Sequence, residues 1–338
     1  MPIGVIHRAL SGFYDVYPLS EDALNTSFTS HEAYDARLIR TVARGRFRQG
    51  TLVPRVGDHV EYTEPEKGDD GLGRIERILP RKNELMRPPL ANLDALWIVF
   101  ALTEPPLSLK VLDRLLVLTE MSRMKPVLIW TKFDHLECRF DVQLKTTPPL
   151  TLEALKDIYA SIGYTVFIVT LQDKDRLPVP CQMWEKENEK LLTTTLPSLL
   201  AHGRYVAVAG PSGVGKSTLI STLSPHFKLE RGEVSKKTER GRHTTRVVSF
   251  IPVANGWVAD TPGFTALDLE GDPRDVALAM PEFLPHIPNC RYRACLHLHE
   301  PGCAVKEALQ QGKIAPHRYA HYRQFVLELQ EKETMRFR

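Results

Sequence analysis

One motif in the middle of the chain limits its possible folds more than any other feature of the sequence. It reads Gly210-Pro211-Ser212-Gly213-Val214-Gly215-Lys216-Ser217 and fits the phosphate-loop pattern G-x-x-x-x-G-K-[ST] in full. An apolar stretch over 205–209 precedes it, and a helix-compatible stretch over 216–224 follows. Glycines allow backbone N–H groups to converge on phosphate oxygens, and the following helix N-terminus adds positive potential. The segment therefore predicts a nucleoside triphosphate site between a strand and a helix.

Three side chains at this motif have expected roles in the nucleotide complex. Lys216 would reach the β- and γ-phosphates, and the Ser217 hydroxyl would ligate magnesium. Thr218, the next residue, is expected to contact the nucleotide as well. A glycine-rich turn that matches the pattern by chance is the alternative, and the flanking strand and helix argue against it.

A second motif, Thr131-Lys132-Phe133-Asp134, follows a predicted strand over 126–130 and is similar to the N/T-K-x-D loop of GTPases. The Asp134 carboxylate can accept hydrogen bonds from guanine N1–H and the 2-amino group, and adenine offers neither donor. Lys132 would lie along the base plane. Alone, this tetrapeptide would fit an exposed loop equally well; beside a phosphate loop it indicates guanine. The usual residue at position 131 is Asn, and the shorter Thr predicts a lower nucleotide affinity.

The segment Asp260-Thr261-Pro262-Gly263 fits the D-x-x-G pattern of a second GTPase switch and follows a predicted strand over 257–259. Asp260 would hold magnesium, mostly through water, and the Gly263 N–H would bond the γ-phosphate. An ordinary Asp-Pro-Gly turn is the alternative for this segment taken alone.

The first switch is expected just before a predicted strand over 247–253. Thr244 or Thr245 would complete the magnesium coordination there, and the sequence does not decide between them. Phe264 stands where classical GTPases place a water-orienting Gln, so His243 is the nearest candidate for orienting water. A GTPase without that Gln should be slow alone and should need a partner that orders its switches.

The GTPase motifs occur in permuted order, because the T-K-x-D loop precedes the phosphate loop. A circular permutation moves the chain termini, but the same strands can remain neighbours in the sheet if the new termini lie in exposed loops. Apolar strands, among them 95–102 and 165–169, alternate with helical stretches over 108–124 and 151–162, which predicts a parallel sheet flanked by helices. Residues 1–87, with short alternating stretches between turn residues, predict a small β-barrel, although residues 11–35 indicate no particular element. A terminal helix is predicted from about residue 317 to residue 332.

Three cysteines and a histidine crowd near the C-terminus. Cys290, Cys295, His297 and Cys303 offer the ligand set of a closed, structural tetrahedral zinc site. His299 competes with His297 as the fourth ligand, and chance clustering of buried thiols is the alternative to a metal. Five cysteines are too few for a disulfide scaffold in a chain of 338 residues and favour a reducing compartment.

Together these features resemble the ribosome-small-subunit-dependent GTPase family, RsgA (YjeQ). The family's C-x4-C-x-H-x5-C pattern selects His297. Other stretches that resemble the family are 43–48, 56–60, 80–88, 241–245, 300–305 and Arg318-Tyr319. The resemblance implies a multidomain α/β protein with an OB-type barrel over 1–87, a circularly permuted GTPase domain over 88–271, and a zinc-binding domain with a terminal helix over 272–338.

The resemblance also implies a function. The chain would hydrolyse GTP as a cytoplasmic, monomeric switch that binds rRNA, acts in late maturation of the small (30S) ribosomal subunit and is stimulated by it. Its cofactors would be one structural zinc ion and magnesium with GTP. One alternative is a GTP-dependent RNA-binding assembly factor with negligible turnover, and another is a permuted GTPase of another ribosomal particle. Intact Lys216, Ser217 and Asp260 favour hydrolysis, and the barrel and zinc module argue against the second alternative.

The composition sets limits on these roles. With 43% hydrophobic and 25% charged residues, the composition is typical of a soluble globular protein. The net charge is only +3, so RNA binding would depend on local basic clusters over 37–55 and 236–246. Solvated surface is the alternative explanation for these clusters. The longest apolar run, 95–102, is far shorter than the ~20 residues of a membrane span. No signal peptide is recognisable at the N-terminus.

Overall fold

The computed structural model describes most of the chain. The described residues are 1–19, 28, 30–45, 47, 53–65, 71–86, 88–172, 181–182, 184–226, 248–260 and 268–336. Contacts divide the chain into two units, each made of several chain segments. Unit 1 comprises Met1–Ala95, Lys186–Val208 and Gly215–Phe264, and unit 2 comprises Leu96–Glu185, Ala209–Val214 and Thr265–Arg338.

The described strands are numbered in chain order. They are β1 (Ile3–Leu10), β2 (Phe13–Pro18), β3 (Ile39–Ala43), β4 (His59–Thr63), β5 (Gly73–Ile78), β6 (Glu84–Leu85), β7 (Leu90–Ala91), β8 (Ala95–Ala101), β9 (Lys125–Thr131), β10 (Gln143–Leu144), β11 (Leu150–Thr151), β12 (Thr165–Ile168), β13 (Tyr205–Ala209), β14 (Ser249–Val253) and β15 (Gly256–Asp260).

The described helices are numbered in the same way. They are α1 (His31–Asp35), α2 (Leu109–Met121), α3 (Leu152–Ser161), α4 (Glu185–Lys190), α5 (Leu196–Ser198), α6 (Lys216–Leu223), α7 (Pro273–Leu278), α8 (Ala304–Gln310) and α9 (Pro316–Arg336). A π-helical turn, Leu191–Thr195, joins α4 to α5, and short 3-10 helices span Phe133–Leu136, Pro281–Phe283 and Ile287–Asn289.

Five strands of unit 1 close into a barrel. Their order is β1-β2-β3-β5-β4, and β4 pairs back onto β1. The β3–β5 pair is parallel and the other pairs are antiparallel, an arrangement that fits an OB-fold. Burial alternates along β4, where Val60 and Tyr62 point into the barrel. The barrel prediction is confirmed, although residues 11–35, where the sequence indicated no element, hold β2 and α1.

A buried histidine links the barrel strand β1 to β13 and β14 within unit 1. The Tyr34 hydroxyl donates to the Phe250 carbonyl at 3.0 Å, so it must accept from His7 Nδ1 at 2.9 Å. His7 Nε2 is then the acceptor for the Tyr205 hydroxyl at 3.1 Å. Burial, assisted by the Arg8 charge, lowers the pKa of His7 well below its usual value. The network therefore holds a neutral imidazole at the start of β13, the strand that leads to the phosphate loop.

Unit 1 also contains the strands that lead to two of the predicted nucleotide motifs. β13 and β15 are parallel neighbours, and β14 is antiparallel to β15. Every residue of β13 is buried, as expected for a strand covered on both faces. β13 has the bounds that the sequence predicted, whereas β15 extends one residue further at each end than the predicted 257–259.

Unit 2 carries the other part of the α/β pattern. β9 and β12 are parallel, and all seven residues of β8 are buried. The helices α2 and α3 begin where Ser108 and Thr151 cap them, each hydroxyl accepting a backbone N–H of the first turn. These helices confirm the predicted helical stretches over 108–124 and 151–162, within a few residues at each end.

In the C-terminal part of unit 2, residues 268–336 form helices joined by irregular loops, without a strand. The terminal helix α9 is longer than the predicted 317–332 and buries Tyr322, Phe325 and Val326 in an apolar core shared with α7. The apolar stripe of α9 thus packs within its own unit. No helix among the described residues is long and apolar enough to cross a membrane.

A buried ionic network joins α2 to α9. Asp113 and Arg318, both fully buried, pair at 2.8 Å, and Arg318 also donates twice to Glu282. Tyr159 and His321 donate to the Asp113 carboxylate at 2.7 and 2.6 Å. Burial alone would raise the pKa of Asp113, but the Arg318 charge and these hydrogen bonds lower it. The pattern of the sequence did not indicate this network.

One disulfide, Cys138–Cys181, lies in unit 2. Five cysteines are too few for a disulfide scaffold, and a single bridge is compatible with that prediction. The pairing itself was not foreseen, because 43 residues separate the two cysteines and no local pattern marks them.

Candidate functional site

The phosphate loop takes a backbone form that requires glycine. It leaves β13 at Ala209, and Gly210, Gly213 and Gly215 have φ values of 144°, 81° and 97°. These values lie where residues with a Cβ are disfavoured. A Cβ on Gly210 would also lie 2.0 Å from the Val99 carbonyl oxygen, so only glycine fits this close approach.

The loop runs directly into α6. The residue before the helix, Gly215, provides no side-chain cap, so the N–H groups of the first turn are not taken up by a capping side chain. Lys216 is the first helical residue and is only 9% exposed. A glycine-lined turn followed by an uncapped helix N-terminus is a ready-made site for phosphate oxygens.

The D-x-x-G segment begins at the same edge of the unit 1 sheet as the phosphate loop. Ala207 of β13 lies opposite Ala259 of β15, so the two parallel strands end level with each other. The backbone of Asp260 therefore lies at the carboxyl end of β15, beside the end of β13. His243, Thr244, Thr245 and Gly263 lie outside the described residues.

Thr131 connects the T-K-x-D loop to the phosphate loop. It is fully buried at the end of β9, and its Oγ1 lies 2.6 Å from the Val214 carbonyl oxygen and 3.3 Å from that of Phe100. A hydroxyl has one hydrogen, and the shorter distance assigns it to Val214. The hydroxyl of Thr131 thus makes a direct bridge between the two loops, despite being shorter than the Asn that is usual at this position.

The rest of the T-K-x-D loop contains a buried carboxylate oxygen without a partner among the described residues. Lys132 adopts a left-handed conformation with φ 62°, and its ammonium group donates to the Glu104 carbonyl. Asp134 is 4% exposed, and its Oδ1 has no hydrogen-bond partner among the described residues. A buried carboxylate oxygen without a partner is costly, so donors from a bound molecule would be favoured there. Guanine N1–H and its amino group are such donors.

His135 is a neighbour of this carboxylate that sequence reasoning missed. Its Nε2 lies 3.5 Å from Asp134 Oδ2 and 3.3 Å from Gln172 Nε2, and its Nδ1 lies 3.4 Å from Thr103 Oγ1. The imidazole therefore lies among three loops at the carboxyl ends of β8, β9 and β12. Its position directly after Asp134 was the only signal in the sequence.

The four predicted metal ligands converge in unit 2. The ligand atoms of Cys290, Cys295, His297 and Cys303 all lie within 4.8 Å of one another. His297 Nδ1 lies 3.5 Å from Cys290 Sγ and 3.3 Å from Cys303 Sγ. Bond lengths of 2.3 Å to sulfur and 2.1 Å to nitrogen give a tetrahedral edge of about 3.6 Å, so the spacing fits a zinc-sized ion. His299, the competing ligand, is exposed and outside the cluster.

Burial makes the cluster unfavourable for thiolates unless a cation is present. It raises the pKa of Cys295 to about 12 and also raises the pKa of Cys303. A bound cation reverses this preference because it stabilises the thiolate directly.

The loop that carries the ligands is fixed from two sides. The Glu300 carboxylate accepts N–H bonds from Leu296, Leu298 and His299. Burial alone would raise the pKa of Glu300, but these backbone hydrogen bonds lower it. From α9, the Tyr319 hydroxyl donates to the His297 carbonyl at 2.6 Å. These contacts of Glu300 and Tyr319 hold the backbone around His297 in place.

Comparison with known proteins finds two family models that match parts of this chain, and relatives that match nearly all of it. A family model described as RsgA GTPase matches residues 78–270, and one described as RsgA N-terminal domain matches residues 3–72. The chain is 35% identical over 336 residues to a protein of Bacillus subtilis (strain 168) named "Small ribosomal subunit biogenesis GTPase RsgA", covering 98% of this chain and 99% of the relative. A protein of the same name from Shouchella clausii is 39% identical over 334 residues, with the same coverage.

Two solved structures have a similar fold. The crystal structure of YloQ, described as a circularly permuted GTPase, matches with a TM-score of 0.69 and 30% identity over 98% of this chain and 96% of that one. The crystal structure of YjeQ from Thermotoga maritima matches with a TM-score of 0.68 and 27% identity over 97% and 98%. The permuted order of motifs thus corresponds to a known permuted fold.

Proposed function

This chain belongs to the RsgA GTPase family, and on that premise we propose that it hydrolyses GTP as a switch on the small (30S) ribosomal subunit during late maturation. The observation that carries the proposal is the hydrogen bond from Thr131 to Val214. It joins the predicted guanine loop to the phosphate loop across 83 residues of chain, in the order that a permuted GTPase requires. The partner follows from the printed names of the relatives.

The proposed nucleotide contacts fall into two groups. The base would lie against Thr131, Lys132, Phe133 and Asp134, with the Asp134 carboxylate accepting from guanine. The phosphates would lie in the loop Gly210, Pro211, Ser212, Gly213, Val214, Gly215, Lys216 and Ser217, with Thr218 beside it. The uncapped start of α6 and the buried Lys216 support the phosphate part of this proposal.

Ser217, Asp260 and either Thr244 or Thr245 would hold magnesium. When bound with GTP, the ion neutralises charge on the β- and γ-phosphate oxygens. Lys216 would reach the same oxygens, and the Gly263 N–H would report the γ-phosphate. His243 is proposed to orient the attacking water, since Phe264 cannot do so. With this arrangement we expect slow turnover alone and stimulation by the subunit.

The barrel is proposed to bind rRNA. Arg40 on β3, Arg44 just after β3 and Arg77 on β5 are exposed, and they pair with Asp15, Glu76 and Glu61. The arginine side chains of these pairs are 52–64% exposed, so their guanidinium groups can also contact phosphate groups of rRNA.

We propose one structural zinc ion at the cysteine–histidine cluster, since four protein ligands leave no open position. We propose domains over 1–87, 88–271 and 272–338, with the chain acting as a monomer in the cytoplasm.

The test is the GTP hydrolysis rate of purified protein alone, with small subunits and with large subunits. A large rise with small subunits only would support the proposal, and Lys216→Ala should abolish it. A rise with large subunits only would mean a permuted GTPase of another particle. GTP-dependent binding to small subunits without turnover would favour an assembly factor that binds GTP but scarcely hydrolyses it.

A further inference from the structure

The Cys138–Cys181 disulfide lies beside the predicted guanine loop. Cys138 follows Asp134 by four positions and is partly exposed, whereas Cys181 is fully buried. Within the described residues the other three cysteines, Cys290, Cys295 and Cys303, form the metal cluster. Cys138 and Cys181 are therefore the two cysteines outside the metal cluster, and they pair with each other.

The backbone that leads from Asp134 to the bridge is in an uncommon conformation. Glu137 and Cys138 are consecutive non-glycine residues with φ values of 51° and 55°. Left-handed backbone is disfavoured for such residues, and it persists only where surrounding contacts hold it. The Glu137 N–H donates to the Asp134 carbonyl at 3.0 Å, and the Cys138 N–H donates to the Phe133 carbonyl at 3.1 Å. The strained turn is thus continuous with the residues that would bind the base.

The other end of the bridge packs against the same loop. The Trp184 N–H donates to the Cys181 carbonyl at 3.0 Å, and the Trp184 ring meets the Phe133 ring edge-on at 5.4 Å. Phe133 is fully buried between Lys132 and Asp134. The disulfide therefore ties the segment that covers Phe133 to the turn that follows Asp134.

We propose that Cys138 and Cys181 form a reversible thiol–disulfide pair that sets the affinity of the guanine site. The inference rests on the proposed GTPase function. The disulfide holds the turn and the covering Trp184 segment, so that Asp134 is positioned before nucleotide arrives. Reduction releases the turn after Asp134 and the Trp184 segment. Only a minority of the molecules then keep the conformation that binds nucleotide. In a reducing compartment a disulfide of this kind acts as a redox sensor rather than a permanent support.

The chemistry is ordinary thiol–disulfide exchange. A thiolate from a low-molecular-weight thiol attacks the partly exposed Cys138 sulfur, the Cys138–Cys181 bond breaks, and Cys181 leaves as a thiolate that takes up a proton. A second thiol resolves the mixed disulfide, giving two protein thiols and one small-molecule disulfide. In the opposite direction, a small-molecule disulfide such as oxidised glutathione is the oxidant and is itself reduced to two thiols.

The test compares GTP affinity in the two redox states of the full chain. Protein is equilibrated with oxidised glutathione or with a phosphine reductant, and binding of a fluorescent GTP analogue is titrated. Non-reducing peptide mapping quantifies the Cys138–Cys181 linkage, and total zinc is measured in each state to exclude an effect through the metal cluster. If reduction leaves about one fifth of the molecules in the nucleotide-binding conformation, the dissociation constant for the GTP analogue rises about fivefold.

The variant Cys138→Ser/Cys181→Ser is the control. It should bind GTP as the reduced wild-type protein does and should not respond to oxidised glutathione. Equal affinity of both wild-type states, or failure to recover the linked peptides after oxidation, would overturn the inference while leaving the GTPase proposal intact. Absence of GTP binding in both wild-type states would overturn the GTPase proposal, and the inference with it. Because reduction of the wild-type chain is reversible, the comparison does not depend on how the variant folds.

Discussion

The Thr131 hydroxyl donates a 2.6 Å hydrogen bond to the carbonyl oxygen of Val214. Both groups are buried, and neither has access to water that would replace the bond. The predicted base-recognition loop and the phosphate loop are therefore coupled directly, so that the position of one depends on the other. Because 83 residues separate Thr131 from Val214, this coupling is a tertiary contact and does not come from proximity in the sequence.

Thr131→Val tests this coupling because it keeps the shape of the side chain and removes the donor. The Val214 carbonyl would lose its partner, which costs about 1–3 kcal/mol for a buried group. If most of this cost falls on the nucleotide-bound conformation, the GTP dissociation constant rises roughly tenfold. Equilibrium titration with a fluorescent GTP analogue measures the change. Thr131→Ser keeps the hydroxyl and should bind nearly as the wild type does; a similar loss in both variants would mean that packing, not the hydrogen bond, matters.

Asp134→Asn tests base specificity. The amide accepts through one oxygen only and loses the charge that strengthens the bonds from guanine, so the GTP dissociation constant should rise roughly 10- to 100-fold. The Asn amino group can instead donate to the 2-oxo group of xanthine, and xanthosine triphosphate should bind better than it does to the wild type. Competition titrations with GTP, ATP and xanthosine triphosphate measure the preference. Unchanged GTP affinity would remove the assignment of Asp134 as the base-reading group.

His297→Gln and His299→Gln form a matched pair at the cysteine cluster. Only the His297 ring lies among the three thiols, so its loss should abolish stable metal binding, whereas His299→Gln should leave it unchanged. Elemental mass spectrometry is expected to find about one zinc per chain in the wild type and in His299→Gln, and far less in His297→Gln. Near-zero zinc in folded wild-type protein would contradict the zinc assignment.

Asp113→Asn should destabilise the protein strongly at neutral pH. It leaves Arg318 fully buried with Glu282 as its remaining charged partner, and breaking a buried ion pair costs about 3–5 kcal/mol. Urea unfolding followed by tryptophan fluorescence measures the free energy of unfolding. Asp157→Asn, at an exposed position on α3, is the control and should change it by less than about 0.5 kcal/mol.

The same carboxylate predicts a pH dependence. Because the folded state lowers the pKa of Asp113, its stabilising contribution is complete above the unfolded value of about 3.9 and is lost as pH falls through the lower folded value. The difference in unfolding free energy between wild type and Asp113→Asn should therefore shrink as pH falls below about 4. A constant difference down to the lowest pH at which the protein folds would contradict this account.

Local sequence patterns determined much of the fold. The bounds of β13 and the approximate bounds of α2, α3 and α9 follow from apolar runs and helical periodicity, which depend on neighbouring residues alone. The three cysteine ligands were recognisable because they lie within one short loop, whereas the resemblance to the family selected His297 over His299. Short elements such as β2 and α1 contain too few residues to show an apolar run or a helical period, so the sequence did not predict them.

The tertiary structure alone decided the contacts between distant residues. Thr131 with Val214, Asp113 with Arg318 and Cys138 with Cys181 are separated by 83, 205 and 43 residues. Each pair forms because strands and helices that are remote in the chain pack side by side, and the free energy of that packing is distributed over many apolar residues. A residue's identity indicates that it can donate, accept or cross-link. Only the packed arrangement of the elements selects the partner.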